Sequence, residues 1–269
     1  MIPKIIHYCW FGGKPLPDEA KRCIKSWKKY CPDFKIIKWN EDNFDLSLYK
    51  YTKQAHENKK WAFITDVVRL YVLVNYGGIY MDTDVEVLKP LDRFLPLNAF
   101  SGFESNNYVP TGIMGCEKNF PLFKELLDRY EERSFVRSDG SLDTTTNTVE
   151  ITNTCLSKGL LLNGKKQTIE GFTLFESDYF CPKSYMTGEI KLTDNSYTIH
   201  HFSGTWHTKT EDKLYGLIKR VNKKYGEKKG QLIIRILGFP YRFKINMESR
   251  GLGWTIRHYL TGGKYSKWQ

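Results

Sequence analysis

The apolar positions of the chain first mark out a strand, a helix and a second strand. Residues 4–10 (KIIHYCW) form a β-favouring run ended by Phe11-Gly12-Gly13. Residues 17–31 (PDEAKRCIKSWKKYC) follow with Pro17 where a helix starts, and 34–39 (FKIIKW) read as a second strand running into the polar NEDN. Strand, helix, strand opens an α/β sheet, whose carboxyl ends favour nucleotides. Residues 61–75 (WAFITDVVRLYVLVN) are apolar around most of a helical wheel and predict a buried helix closed by Gly77-Gly78. The next stretch, GIYMDTDVEV, reads as one strand. Another strand is predicted near 109–115 and a helix near 120–132, before the polar loop SDGSLDTTTNT. Residues 150–195 carry no clear period, and a last apolar run spans 196–206 (SYTIHHFSGTW). Beyond 209, Leu214, Leu217, Ile218, Val221 and Tyr225 keep helical spacing, with Lys and Arg filling the other face.

At 269 residues, 41% apolar and 15% aromatic, the chain can bury a core for one large domain or a domain with an appendage. The first residues lack the apolar core of a secretory signal, and no stretch offers the roughly 18 apolar residues of a spanning helix, so a cytosolic location is expected. The six cysteines contain no C-x-x-C pair, which predicts reduced, buried thiols rather than a zinc knuckle or a disulfide framework. Charge changes the picture more. Residues 209–269 hold 15 of the 41 Lys and Arg but only 4 of the 30 Asp and Glu, so the whole net charge of +11 lies there. A neutral working domain over 1–207 is expected, followed over 208–269 by a basic extension that meets something anionic, either membrane lipid or nucleic acid.

In GIYMDTDVEV, strand alternation would put Tyr80, Asp82, Asp84 and Glu86 on one face. Two carboxylates projecting together suit a hard cation, Mg²⁺ or Mn²⁺, that can carry a diphosphate on its open positions, although a solvated acidic strand face would look the same. A rival reading is a phosphate-ester hydrolase with a D-x-D-x-T/V motif, but Glu86 stands where that motif takes Thr or Val. On the preceding helix, Asp66 and Arg69 share a face at i and i+3. A charged pair in so apolar a helix needs mutual pairing or a polar ligand. A third reading makes the chain a non-enzymatic basic module that binds membrane or nucleic acid.

The run from Thr65 to Asp84, T-D-x-x-R-L-Y-x-L-x-x-Y-G-G-I-Y-x-D-x-D, resembles the central motif of DXD glycosyltransferases with a GT-A (Rossmann-like) α/β fold. The group it is similar to contains capsular polysaccharide transferases, yeast initiating mannosyltransferases and the glucosylating domains of large clostridial toxins. The opening I-P-K-I-I-H-Y-C-W-F-G-G and the late I-H-H-F-S-G-T-W are similar to the same family, so the resemblance spans residues 2–206.

That resemblance implies roles position by position. Asp82 and Asp84 would hold Mn²⁺ or Mg²⁺ against the diphosphate of a nucleotide-sugar, Asp84 the more directly. His201 would be the third ligand, with His200 the competing choice. Trp10 would stack on the nucleobase, Asp66 and Arg69 would bind donor-sugar hydroxyls, and Tyr80 would line the pocket. Arg69 is also counted with the two aspartates as catalytic. Ser203, Thr205 and Trp206 would close over the diphosphate. Thr65 and Thr205 stand where the family commonly has Ser, and both keep the hydroxyl.

The implied activity is transfer from a nucleotide-sugar, a UDP-sugar first, to a glycan or lipid-linked oligosaccharide in surface or capsular polysaccharide synthesis. Retention of anomeric configuration is implied, by front-face attack. The aromatic and aliphatic residues interleaved with the basic ones after 209 suit an amphipathic helix on anionic lipid rather than nucleic acid, so a peripheral place on the cytosolic face of a membrane is expected.

Overall fold

The computed structural model describes residues 1–104, 108–204 and 207–261. The chain divides into two compact units, one of Met1–Lys183 with Ile190–Ser203 and one of Ser184–Glu189 with Gly204–Gln269.

The first unit opens as the pattern predicts, with β1 (Ile5–Cys9), α1 (Asp18–Tyr30) and β2 (Lys35–Trp39). Next come α2 (Lys50–Glu57), α3 (Trp61–Tyr76), β3 (Gly78–Met81), β4 (Val85–Val87), β5 (Ala99–Gly102) and β6 (Ile113–Cys116). The unit is completed by α4 (Pro121–Asp128), α5 (Asn147–Ser157), β7 (Gln167–Ile169), β8 (Phe172–Phe175), α6 (Ser177–Phe180) and β9 (Thr198–His200). Seven strands form one mixed sheet in the order β2-β1-β3-β6-β5-β8-β7, while β4 and β9 pair in a separate antiparallel ribbon. This is the mixed, helix-flanked α/β sheet that was expected.

Helix α3 is the hub of the core. Ile64, Val67, Val68, Leu70, Val72 and Leu73 are fully buried, which is why its wheel has almost no polar face. Side chains of α2 to α5 cover one face of the sheet, and Trp27 of α1, Phe180 of α6 and the apolar residues of β4 belong to the cluster on the other. All six cysteines are buried free thiols.

His7 of β1 shows how burial fixes a polar group. Its ring is wholly buried, with Nε2 2.9 Å from the Gly77 carbonyl, to which it donates, and Nδ1 accepting from the Trp39 indole at 3.0 Å. Burial depresses its pKa to about 4, so the ring is neutral.

One expected element differs. GIYMDTDVEV is not a single strand: β3 stops at Met81, and β4 starts at Val85 in the other sheet. The Asp82 amide closes the pairing with β6 by donating to the Gly112 carbonyl at 2.8 Å, and the Val85 amide then folds back onto the Asp82 carbonyl at 3.0 Å. Asp82 and Asp84 therefore flank a turn. Their common direction comes from that turn and not from strand alternation. The helix expected over 120–132 also ends earlier, at Asp128.

Apart from the turn of Ser184–Glu189, the second unit is mainly helical among its described residues. Helix α7 (Lys209–Leu237) begins with a capping box in which Thr208 and Glu211 satisfy each other's amides, and it is broken at Gly226, whose φ of 74° is left-handed. Helices α8 (Phe239–Arg250) and α9 (Leu252–Leu260) follow. Leu214 and Val221 are buried as their spacing predicts, whereas Tyr225 is 44% exposed beside the break. No helix among the described residues is long and apolar enough to cross a membrane.

Candidate active site

The candidate site lies past the carboxyl ends of β1 and β3, two parallel strands of the sheet, the edge at which open α/β sheets bind ligands. Asp82 immediately follows β3, Trp10 immediately follows β1, and the turn Asp82–Asp84 leads into β4. The β4–β9 ribbon then brings in a distant segment, because its register sets Val85 opposite His200 and Val87 opposite Thr198. One further bond, from the His201 amide to the Asp84 carbonyl at 2.9 Å, extends the ribbon onto the second aspartate.

That register decides which histidine joins the carboxylates. Ligand atoms of Asp82, Asp84 and His200 lie within 4.8 Å of one another, and His200 Nε2 is 3.3 Å from Asp84 Oδ1. His201, favoured from the sequence, faces the other way. Its Nε2 is 2.9 Å from Glu86 Oε2, and its Nδ1 is 3.9 Å from Glu19 Oε1. Successive strand residues point to opposite sides, so only one of the adjacent pair can meet Asp84. The structure assigns that place to His200, the competing choice.

Three neighbours hold the cluster. The Ser203 amide donates to Asp84 Oδ2 at 2.8 Å, and the Ser203 hydroxyl donates to Glu19 Oε2 at 2.8 Å. Phe202, just before it, takes the left-handed φ of 55° and lays its ring 4.2 Å from that of His200. This conformation is uncommon for a non-glycine residue, and it accompanies the turn that points the Ser203 amide at the aspartate. Burial disfavours the Asp84 charge, yet the His200 ring and the Ser203 amide outweigh it and hold the carboxyl well below the usual range. Burial likewise opposes a charged His200, but Asp84 pushes its pKa well above the ordinary value.

The second half of the site is a buried charge network centred on Arg69. Its guanidinium is 3.4 Å from both Asp66 Oδ1 and Asp82 Oδ1, donates to the Thr111 carbonyl at 2.5 Å, and lies 4.7 Å over the Tyr80 ring. Tyr80 donates its hydroxyl to Asp82 Oδ1 at 2.8 Å. Burial raises the Asp82 pKa against the pull of Arg69, and raises Asp66 to about 6 against Arg69 and an amide of Asn147. Asp66, Arg69, Tyr80 and Asp82 thus form one connected group.

Two participants escaped sequence reasoning. Asn147 opens α5 and binds Asp66 twice, amide to Oδ2 at 3.2 Å and Nδ2 to the backbone carbonyl at 2.5 Å. It lay hidden in the polar run SDGSLDTTTNT, where nothing in the spacing distinguishes it. Glu104, after β5, is a further carboxyl close enough to feel this cluster. Its pKa is raised by burial, with His200 opposing and the two aspartates adding. Trp10 is partly buried and donates its indole N–H to the Lys14 carbonyl at 2.5 Å. Thr205 and Trp206 lie outside the described residues.

The donor set fits a hard divalent cation. Two carboxylates and an imidazole converge, Asp84 is held ionised, and a cation bound between them would replace the contact that Asp84 now makes with His200. The observed fold and site define an α/β protein with an Asp-Asp-His cluster that could hold a cation at a sheet's carboxyl edge, built on the motif D-x-D. Residues 17–101, which include both aspartates, match the family described as "Glycosyltransferase sugar-binding region containing DXD motif". By that region, about a third of its length, the chain is similar to the DXD-containing glycosyltransferases.

Among relatives, inositol phosphoceramide mannosyltransferase 3 of Schizosaccharomyces pombe is 28% identical over 47% of this chain and 36% of its own length. Mannosyl phosphorylinositol ceramide synthase SUR1 of Saccharomyces cerevisiae is 30% identical over 47% of this chain and 34% of its own. The chain thus spans about a third of the length of these two curated relatives. Among solved structures, "PaToxG Glycosyltransferase" aligns with a TM-score of 0.45 at 19% identity over 59% of this chain and 70% of that one.

Proposed function

We propose that the protein is a metal-dependent GT-A glycosyltransferase that moves a sugar from a nucleotide-sugar to a glycan or lipid-linked acceptor. The observation that carries this reading is the meeting of Asp82, Asp84 and His200 within 4.8 Å, inside and beside the matched sugar-binding region. Bound there, Mn²⁺ or Mg²⁺ would neutralise charge developing on the leaving diphosphate. The chain's own residues do the rest. Asp84, held ionised by His200 and Ser203, is the ready ligand, while Arg69 keeps Asp82 and Asp66 in place and leaves the Asp66 carboxyl as an acceptor for sugar hydroxyls. Trp10 would stack on the base, and Thr205 and Trp206 would close over the diphosphate with Ser203.

UDP is the proposed carrier nucleotide, retention the proposed stereochemistry, and surface or capsular glycan synthesis the proposed setting. Both yeast relatives are named for a mannosyl group and an inositol phosphoceramide, which favours an acceptor with a lipid part. The test is hydrolysis of a panel of UDP- and GDP-linked sugars with Mn²⁺, Mg²⁺ or chelator, in the native protein and in Asp84→Asn. The reading expects one donor to turn over only with metal, and Asp84→Asn to lose about two to three orders of magnitude in rate while circular dichroism shows it still folded. Turnover unaffected by chelator would sink it.

A further inference from the structure

We propose that helices α7 to α9 present a docking face for an anionic lipid surface, formed by Leu232 and Ile236 of α7 and by Leu252, Ile256 and Leu260 of α9. This goes beyond the transferase reading and stands without it. Among the described residues, nine of the twenty exposed large apolar side chains fall between Leu232 and Leu260. Leu232 and Ile236 sit one helical turn apart at 65% and 64% exposure, and Leu252, Ile256 and Leu260 mark successive turns of α9 at 54%, 43% and 81%.

These side chains lie outside the unit's own packing. From residue 231 on, Ile234, Ile245 and Thr255 are the buried side chains among the described residues, while the first half of α7 buries Leu214, Tyr215 and Val221. Helices α8 and α9 are held together by Tyr259, whose ring lies 5.0 Å from that of Phe239 and 5.6 Å from that of Phe243. The exposed stripe therefore rides on a packed platform. Large apolar side chains left in water at helical spacing on two helices of one unit mark an interaction site.

Charge selects the occupant. Residues 209–269 carry fifteen basic and four acidic side chains, with Lys228, Lys229, Arg235 and Arg257 on the elements that bear the stripe. A second copy of this face would bring like charges together. Single-stranded nucleic acid would satisfy the charge, but it stacks on aromatic rings and gains little from leucine and isoleucine. An anionic bilayer satisfies both, taking the aliphatic side chains below the headgroups and leaving the basic ones among them. No described helix is long and apolar enough to span, so the contact lies in the interface plane.

The experiment is co-sedimentation of the full chain with vesicles of pure phosphatidylcholine and with vesicles of equal parts phosphatidylcholine and phosphatidylglycerol. The native chain is expected to bind the mixed vesicles and to leave them as salt is raised. Ile256→Ser with Leu260→Ser, which removes no charge, should weaken binding at least about tenfold, and so should Leu232→Ser with Ile236→Ser, a second pair on another helix. Circular dichroism checks that both variants keep native helix content. The proposal is overturned if mixed vesicles are not bound, if correctly folded variants bind as well as the native chain, or if the same substitutions abolish self-association or RNA binding while vesicle binding persists.

Discussion

Adjacent residues His200 and His201 differ in fate because a strand sends them to opposite sides, one to Asp84 and one to Glu86. The family resemblance favoured His201, because the dipeptide alone does not reveal the pairing of Val85 with His200 across the ribbon on which the choice depends. The two substitutions should therefore separate. His200→Ala is expected to weaken Mn²⁺ binding and turnover at least about a hundredfold, and His201→Ala by less than about threefold. Metal titration of both variants, followed by thermal stability or activity, checks this. Arg69 tests the other half. Its side chain is 6% exposed, and losing it strands two largely buried carboxylates, so Arg69→Met should destabilise the fold by about 3–5 kcal/mol. Chemical denaturation measures that loss directly. The pairing of Asp66 with Arg69 was legible at i and i+3; their attachment to Asn147 was not, because a polar loop gives no sign of which amide reaches inward.

At the level of elements, the sequence pattern was readable where elements are long or fully buried. Helix α3 has sixteen residues and an unmistakable apolar wheel. Strands β7 and β8 have three and four residues, too few to display a period, and the stretch around them stayed unassigned. The break between β3 and β4 was hidden for another reason: a strand, a tight turn and a second strand alternate in composition much as one strand does. The junction of β1 with the Gly77 turn carries a pH dependence. With a native pKa of about 4 and an ordinary value near 6.5, His7 binds its proton more tightly in the unfolded chain. Stability should therefore fall as pH drops from about 6.5 to about 4, by about 3 kcal/mol in all. Urea denaturation at neutral pH and at about pH 4.5 should show a steeper loss for the native chain than for His7→Gln, which lacks the titrating ring. Parallel losses would mean that other groups carry the acid sensitivity.

For the molecule as a whole, what was visible in composition was the basic stretch after residue 208, where the entire net charge of +11 collects. The short exchange that places Ser184–Glu189 with the second unit was not, because six residues in a patternless stretch leave no compositional mark. Ligand linkage offers a test at this scale. UDP with Mn²⁺ at a hundred times its dissociation constant should add about 2.7 kcal/mol to stability, and UDP with chelator much less. Calorimetry with GDP in parallel ranks the nucleotides.

The β4–β9 ribbon has a temporal consequence as well. Its two edges are separated by more than a hundred residues of chain, so the loop they close is the most expensive pairing in the α/β unit to bring together. A nascent chain emerging from the ribosome exposes the two aspartates long before their histidine. Until residue 200 has been made, Asp82 has Arg69 as its partner and Asp84 has none from the ribbon. Assembly of the Asp82, Asp84 and His200 cluster is thus a late event in this protein's synthesis, completed only after every strand of the main sheet has been made.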